Sequence, residues 1–387
     1  MGMIASEKKT ILYVHHAGGF GGAPKSMSFI IKNLDQKKYN PVLVNIARGP
    51  INSFFSQLPI KLILAKGIRP FHGSTVVTKS LVIFIRNWVY LIPSIIGAFR
   101  LIKKTKPDVM HLNSTCLFAF AIAANFIKKK PKVICHVREP LRKGFWGWPL
   151  RFFCSRHVDA FIAISNFDLN SLGAKALASK DYKVVYNFVN ILEYFPAPSS
   201  GNLRKKLGIA QEDIVFLYLA RFSKGNGWEE LIEMAREVTS GYNKFHFVLI
   251  GATEEQLTRL ENRSKNIHFL SFTPDVVDIL RDSDVFVCPF TEPHFARGII
   301  EASAVGLPIL ASQIGGVDEL VKVNKTGYLY SSKDEFKAMA IKLGTDDSLR
   351  RFMGENGVLF AQESFNEQVN LKITYGFYDA VLNNDFH

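Results

Sequence analysis

Between Asp284 and Glu319 the sequence changes character three times in quick succession, and that succession limits the folds open to the chain. Asp284-Val-Phe-Val-Cys-Pro-Phe290 is a continuous apolar run, rich in β-branched and aromatic residues and closed by Pro289, which reads as a short buried strand. Thr291-Glu-Pro-His-Phe-Ala-Arg-Gly298 is a polar, glycine-containing loop. Ile299-Ile-Glu-Ala-Ser-Ala-Val-Gly306 has the apolar spacing of a helix, and Leu307-Pro-Ile-Leu-Ala-Ser312 reads as the next strand. Strand, helix and strand in this order form a βαβ unit with parallel strands. The loop then lies at the carboxyl edge of the sheet, where open α/β sheets bind ligands.

At such an edge the first backbone N–H groups of the helix, here around Ala296 to Ile299, point outward, and the helix dipole favours an anion by roughly 0.3–1 kcal/mol. Glu301 is expected in the first turn, its carboxylate reaching back over the loop. There it either complements the helix start, as first-turn acids commonly do, or accepts paired hydrogen bonds from adjacent sugar hydroxyls. A diphosphate beside a sugar suits both features.

Phe295-Ala-Arg-Gly-Ile-Ile-Glu-Ala302, Gly306-Leu-Pro-Ile-Leu-Ala-Ser312 and Gly315-Gly-Val-Asp-Glu319 together resemble the donor-binding signature of retaining glycosyltransferases of the GT-B fold, family 4, of the bacterial surface-polysaccharide type. In that family an acidic pair, Glu-x7-Glu, brackets a Gly-Phe-Gly loop. The second Glu binds the nucleotide ribose and the first approaches the donor sugar. Glu301 matches the second. The first falls on Pro293, so its role passes to Glu292 or His294, and Ala296 stands where the family has Gly. The resemblance implies that Phe295, Ala296, Arg297, Gly298 and Ile299 contact the donor, with Glu301 on the ribose.

A chain of 387 residues holds two domains of ordinary size. Its four cysteines, Cys116, Cys135, Cys154 and Cys288, show no C-x-x-C pairing, so neither a zinc site nor a disulfide framework is expected and a reducing cytoplasm fits. Charge is unevenly spread. Met1 to Pro196 carries 28 Lys+Arg against 8 Asp+Glu, while the remainder carries 20 against 26. A basic half suggests an anionic partner, the alternative being a merely solvated basic surface. No nucleic-acid module accompanies it, so an anionic membrane surface or a phosphate-bearing acceptor is expected instead.

Met1-Gly-Met-Ile-Ala-Ser6 matches the short N-myristoylation pattern, which chance alone often produces. Ile11-Leu-Tyr-Val14 is strand-length rather than a signal sequence. It runs into His15-His-Ala-Gly-Gly-Phe-Gly-Gly-Ala23, followed by a helix from about Pro24 to Leu34. Glycines at a strand-to-helix turn let the backbone approach a ligand closely. No acidic residue ends the second strand, Pro41–Ile46, so a nicotinamide cofactor is disfavoured. The loop is similar to the Gly-Gly-Ala loop of the same family, which implies donor contacts at Gly19, Gly21 and Gly22. Lys25 either adds positive charge there or is a surface lysine.

Leu81 to Ile102 is strongly apolar but broken by Arg86, Asn87, Pro93 and Arg100. The unbroken span is shorter than the ~20 residues of a membrane-crossing helix, and a partly buried helix is expected rather than one lying on a membrane face. Pro107–Ser114 and Lys132–Glu139 read as strands with polar ends. The family resemblance implies that His136 touches the donor sugar, and Asn113, Ser114 and Arg138 are assigned to the acceptor beside it. Arg138 to Phe153 interleaves Trp, Phe, Arg and Lys, as a surface on the inner leaflet, an acceptor lip or a helix packed on the sheet would. Phe195-Pro-Ala-Pro-Ser-Ser-Gly-Asn202 is the expected linker.

Asp213-Ile-Val-Phe-Leu-Tyr-Leu-Ala220 opens a second sheet, ending at Arg221-Phe-Ser-Lys-Gly-Asn-Gly227 before a helix from Trp228 to Val238. Arginine's planar fork and a lysine's point charge suit a diphosphate. The family pattern is Arg with Lys five positions later. Arg221 matches, Asn226 occupies the lysine position, and Lys224 is the substitute, unless it pairs with Glu229 or Glu230. Losing such a donor typically costs ~3 kcal/mol of transition-state stabilisation. Thr273-Pro-Asp275 resembles the loop that contacts the nucleobase. Asp334–Leu343 (stopped by Gly344), Asp347–Gly354 and Glu367 onward read as helices.

These readings imply an α/β protein of GT-B architecture, two doubly wound Rossmann-like domains facing a central cleft. Residues 1–196 form the acceptor-side domain, onto which a helix of about 367–387 packs back, and 197–366 form the nucleotide-sugar domain. The implied reaction is transfer of a hexose from a UDP- or GDP-sugar to a glycan or lipid-linked acceptor with retention, in lipopolysaccharide, O-antigen or capsule synthesis. Neither cofactor nor metal is expected, because Arg221, Lys224 and helix starts stabilise the departing charge. The expected location is cytoplasmic, peripheral on the inner face of the membrane. An inactive nucleotide-sugar scaffold and a sugar-nucleotide epimerase are the alternatives.

Overall fold

A computed structural model describes residues 8–75, 79–260 and 265–384. The Met1–Ser6 pattern and the chain beyond Asn384 lie outside the described residues. Internal contacts separate two units, Met1–Asn187 with Asn370–His387, and Phe188–Val369.

The first unit is built on β1 (Lys9–His15), β2 (Tyr39–Asn45), β3 (Lys61–Leu64), β4 (Val109–Leu112), β5 (Lys132–Val137), β6 (Ala160–Ala163) and β7 (Asp181–Val184). All pair in parallel, in the order β3-β2-β1-β4-β5-β6-β7. The central strands are buried along their whole length, as in β4 and β6, which is why they read as apolar runs rather than as alternating patterns. Helices cover both faces, and Phe118, Phe120, Leu150 and Cys154 pack with Leu12, Leu112 and Val133 into one core. Each such large apolar side chain contributes about 1.5–3 kcal/mol on burial.

The apolar stretch from Leu81 forms two helices, Leu81–Val89 and Leu91–Thr105, bent by 48° where they meet. Only a narrow stripe, including Phe84, Ala98 and Ile102, faces the core. No single helix among the described residues is long and apolar enough to cross a membrane. Trp148–His157 is a helix on the sheet, with Phe153 stacked on Phe118 at 4.8 Å, while Phe145 and Trp148 stay exposed.

The second unit contains β8 (Ile214–Leu219), β9 (Phe245–Ala252), β10 (Ile267–Ser271), β11 (Val285–Cys288), β12 (Ile309–Ser312) and β13 (Gly327–Tyr330), parallel in the order β10-β9-β8-β11-β12-β13. Neither β3 nor β13 is read as a strand in the sequence. The helix Lys333–Thr345 runs through Gly344 instead of stopping there, and the glycine serves close packing, since a Cβ at that position would collide with the Phe245 ring. The next helix extends from Asp347 to Ser364, well beyond the expected Gly354.

The division between units falls at Asn187/Phe188 rather than inside the Pro/Ser stretch. That stretch is fastened to the second unit. Arg281 donates to the carbonyl oxygens of Glu193 and Phe195 at 3.1 Å. The Asp282 carboxylate accepts from the Gly201 and Leu203 amides at 2.8 Å and from the Ser199 and Ser200 hydroxyls. Burial pushes the Asp282 carboxyl up, but the hydrogen bonds outweigh it and hold the group below the usual carboxylate range. A proline- and serine-rich composition here marks a stitched segment, not a free tether.

Candidate functional site

In each sheet the strand order reverses once: between β1 and β4 in the first unit, and between β8 and β11 in the second. Loops leaving the carboxyl ends of two strands that run their crossovers to opposite sides part there and leave a crevice, the usual ligand position in open α/β sheets. Most of the residues named from the sequence lie on loops at or next to these two places, while Thr273 follows the edge strand β10.

In the second unit the loop after β8 and the loop after β11 are sewn together. The amides of Thr291 and Glu292 donate to the Gly225 carbonyl at 3.1 and 3.3 Å, and the Thr291 hydroxyl donates to the Lys224 carbonyl at 2.9 Å. Gly227 permits the approach: its φ is 66°, and a Cβ there would run into the Pro289 carbonyl oxygen. Arg221 and Lys224 are both exposed on this edge, and neither forms an ion pair among the described residues, so Glu229 and Glu230 do not neutralise Lys224. Asn226, in the expected lysine position, donates its amide to the Arg221 carbonyl at 2.8 Å.

The β11 loop carries Glu292 and His294. His294 donates from Nδ1 to the Glu292 carbonyl at 2.8 Å and stacks on Phe290 at 4.1 Å, so its Nε2 is left as an acceptor. Burial lowers its pKa, with Arg221 adding to the shift and the Glu292 contacts opposing it. His294 is therefore a neutral imidazole at neutral pH. The Glu292 side chain lies over Gly225. Thr273 sits in the loop after β10, its hydroxyl on the Asp275 carbonyl.

The helix after this loop spans Arg297–Ala304, starting two residues before the expected Ile299. Gly298 explains the shift, since its bare Cα lies over the Phe286 ring, where a Cβ would come within 2.5 Å of Cζ. Two expectations change as a result. The Ile299 amide closes the first turn on the Ala296 carbonyl at 3.1 Å and its side chain is in the core, so Ile299 is not presented to a ligand. Glu301 lies in the second turn, not the first, and is buried, with Oε1 accepting from Arg297 Nε at 2.9 Å. Arg297 also donates to the Phe188 carbonyl at 3.0 Å. Phe295 and Ala296 are buried as well.

In the first unit the β1 loop leaves Gly19 and Gly21 with open space where a Cβ would stand, while Gly18 packs against Arg48 and Gly49. Gly22 already belongs to the helix Gly22–Lys32, which begins before the expected Pro24. Asn113 is held in a polar chain. Arg138 Nε donates to its Oδ1 at 2.6 Å, and its Nδ2 faces His15 Nδ1 at 3.0 Å. Arg138 Nη1 and the Ser26 hydroxyl both donate to Asn187 Oδ1, at 3.2 and 3.0 Å. Ser114 does not join this chain. Its hydroxyl caps the turn Thr115–Leu117 by accepting from the Cys116 amide.

His136 is buried at the end of β5, with Nδ1 3.3 Å from His111 Nε2, and Tyr378 of the helix Glu367–Asn383 places its hydroxyl 2.7 Å from His111 Nδ1. Burial, aided by the Arg138 charge, lowers the pKa of His111 to about 3. It lowers that of His136 well below the ordinary value, with Arg138 and His111 adding to the effect. His15, buried beside His16 and Arg138, is lowered to about 3. Sequence reasoning missed His15, His111, Asn187 and Tyr378. His15 ends a strand like His136 and was open to the same inference, whereas nothing local marks Tyr378.

Two family models match the chain: Glycosyl transferases group 1 over residues 199–359, and Glycosyltransferase Family 4 over residues 20–192. N-acetyl-alpha-D-glucosaminyl L-malate synthase of Bacillus anthracis is 26% identical over 231 residues, 58% of this chain and 59% of that protein, so the match spans less than two thirds of that relative. The UDP-Gal:alpha-D-GlcNAc-diphosphoundecaprenol alpha-1,3-galactosyltransferase of Escherichia coli is 27% identical over 284 residues, 68% of this chain and 73% of that one. Among solved structures, Anabaena Alr3699/HepE in complex with UDP superposes with a TM-score of 0.78 at 20% identity, covering 96% of this chain and 100% of the other. That likeness establishes the fold.

Proposed function

Because this chain belongs to the GT-B glycosyltransferases of family 4, we propose that it moves a hexose from a nucleoside-diphosphate sugar to a glycan or lipid-linked acceptor of bacterial surface-polysaccharide synthesis, with retention of configuration. The observation that carries this reading is the pairing of two loops at the strand-order reversal of the second unit. It sets the loop of Arg221 and Lys224, neither of them ion-paired among the described residues, against the loop that leads to the helix whose Glu301 is held by Arg297.

That arrangement suits a nucleotide-sugar. The guanidinium of Arg221 and the ammonium of Lys224 compensate the charge that grows on the departing diphosphate, with the positive end of the helix at Arg297 adding to them. Two such cations do the work a divalent metal otherwise does, so the proposed reaction is metal-independent and needs no cofactor. Glu301, its inner oxygen fixed by Arg297, offers its other oxygen to ribose hydroxyls. Because His294 Nε2 is an acceptor, it suits a donor-sugar hydroxyl. No protein nucleophile is assigned, and the leaving phosphate takes the acceptor proton. The UDP bound to the Anabaena neighbour and the UDP-galactose named for the Escherichia coli relative support a uridine donor.

The diphosphoundecaprenol acceptor named for that relative supports a lipid-linked acceptor and, with it, a place on the inner face of the membrane. The first unit has a surface for such a place. Leu81, Val82, Val89 and Ile92 are 63–76% exposed on the bent helix pair, and Phe145, 63% exposed, packs on the buried Phe84 of the same pair at 4.6 Å. From Lys79 to Pro107, and again from Pro140 to Val158, the sequence has Lys and Arg but no Asp or Glu. An apolar, aromatic face ringed by unopposed cations is what an anionic bilayer binds.

The test is release of nucleoside diphosphate from a panel of UDP- and GDP-hexoses in the presence of lipid-linked saccharides, with EDTA added in parallel. Release that depends on acceptor and resists EDTA, with an α-linked product from an α-donor, supports the proposal. Tight nucleotide binding without release points to a scaffold. Conversion of the donor sugar alone points to an epimerase. Either result overturns the proposal.

A further inference from the structure

We propose that Tyr378 is a positioning residue that acts through His111 to fix which nitrogen of His136 carries the proton, so that His136 presents Nε2–H to a ligand oxygen. Three buried side chains lie in line: Tyr378 Oη to His111 Nδ1 at 2.7 Å, His111 Nε2 to His136 Nδ1 at 3.3 Å, and then His136 Nε2, which has no hydrogen-bond partner among the described residues. Tyr378 and His111 are 0% exposed and His136 4%. All three belong to the first unit.

The direction of the chain follows from acidity. A phenol O–H, with an ordinary pKa near 10, is a far better donor than a neutral imidazole N–H, and the bare imidazole nitrogen is the better acceptor. Tyr378 therefore donates to His111 Nδ1. A neutral imidazole has one proton, so His111 must carry it on Nε2 and donate it to His136 Nδ1. By the same rule His136 carries its proton on Nε2, the atom that lacks a partner. A buried N–H left unpaired is costly, and natural proteins leave few of them without a use. Here the unpaired atom sits at the carboxyl end of β5, next to the reversal of strand order where the first unit's ligand crevice lies.

A second imidazole repeats the pattern on an independent chain. Arg138 fixes the Asn113 amide by donating to Oδ1, which turns Asn113 Nδ2 towards His15 Nδ1. His15 is thus also left with its proton on Nε2, and that atom too is buried without a partner among the described residues. Two neutral N–H donors, from the strands β1 and β5 that flank β4, suit uncharged oxygens, such as sugar hydroxyls, better than they suit cations. Only this last step, the identity of the ligand, rests on the proposed glycosyl transfer.

The experiment uses the full chain labelled with ¹⁵N-histidine and long-range ¹H–¹⁵N correlation, with His136 assigned by the signals missing from His136→Gln. The expected wild-type pattern is pyridine-type Nδ1 and pyrrole-type Nε2 at His136. Tyr378→Phe keeps the ring and its packing but removes the donor, and His136 should then show a mixture of both forms. His111→Gln retains an amide N–H towards His136 Nδ1 and should restore the single pattern, whereas His111→Leu should not. If donor turnover is measurable, kcat falls about tenfold in Tyr378→Phe and stays within twofold in His111→Gln, with KM little changed. A protonated Nδ1 in the wild type, or an unaltered His136 spectrum in Tyr378→Phe, overturns the proposal. Because the spectra are recorded without substrate, failure of the transfer reading leaves this result standing.

Discussion

Asn226 donates its side-chain amide to the main-chain carbonyl of Arg221 at 2.8 Å, closing the loop that carries the arginine. A residue standing where the family has a lysine thus serves as a latch rather than as a lost charge. Removing the latch loosens the loop without touching the guanidinium. Asn226→Ala is expected to weaken nucleotide-sugar binding by about 1 kcal/mol, the value of one neutral hydrogen bond, or roughly fivefold by calorimetry. Unchanged affinity would mean that the latch does not organise Arg221.

Glu301 is buried and pairs with the partly buried Arg297 at 2.9 Å, so removing either partner has a different consequence. Glu301→Ala should weaken nucleotide-sugar affinity by ~2 kcal/mol or more through lost charge-assisted hydrogen bonds to the ribose. Arg297→Ala instead leaves a buried carboxylate without its cation. It is expected to lower stability by ~3 kcal/mol in urea unfolding, whether or not nucleotide is present. Equal ligand affinity in wild type and Glu301→Ala would remove the ribose assignment.

Two glycines separate folding from binding. Gly298→Ala forces a methyl into the Phe286 ring and should cost about 1–3 kcal/mol of stability, read as an earlier urea midpoint. Gly19→Ala meets nothing within 4 Å and should unfold like the wild type. Its effect should appear only in ligand affinity, and a loss of stability there would show that the open space beside Gly19 is not kept for a ligand.

The buried histidines set an acid limit. Burial, with contributions from His16 and Arg138, lowers His15 to about 3, and burial with Arg138 lowers His111 to about 3. Both stay neutral in the folded chain, while the unfolded chain protonates them near 6.5. Between pH 6.5 and about 3 the unfolded state therefore binds more protons, and stability falls as pH falls, by ~1.4 kcal/mol per pH unit for each imidazole. Urea midpoints should drop steeply from pH 6.5 to 5, and His111→Gln should flatten that slope. Equal slopes would show that His111 is not held neutral.

Membrane docking predicts a salt-sensitive interaction. Replacing Arg100, Lys103 and Lys104 by Glu should abolish co-sedimentation with anionic vesicles while leaving the urea midpoint unchanged, since each cation near a charged bilayer contributes about 1 kcal/mol. Wild-type protein that binds neither anionic nor neutral vesicles would end the idea.

Much of this was legible in the chain because its strands are buried on both faces and so appear as apolar runs, and because each run ends at the edge where chemistry gathers. Arg221, Glu292, His294 and His136 all lie at such strand ends or in the loops that leave them. The start of the Arg297–Ala304 helix was not, because it depends on the Phe286 ring under Gly298, a contact that local periodicity does not encode. The seam at Asn187 was hidden for a similar reason, as the segment after it looks like a tether and is pinned by Asp282 and Arg281, far along the chain. Tyr378 was invisible because its meaning comes wholly from His111, which is remote in sequence.

The first unit is completed by a carboxyl-terminal helical segment from Asn370 onward, where Tyr375 bonds to the Ile30 carbonyl, Tyr378 to His111 and Asp379 to Lys38. Translation therefore delivers the first half's closing piece only after the whole of Phe188–Val369 has been made. The half that is synthesised second can finish folding first, while the earlier one waits with its histidine cluster uncovered. A newborn chain stalled before Asn370 would expose that gap to proteases and chaperones, although every strand of both sheets had already been translated.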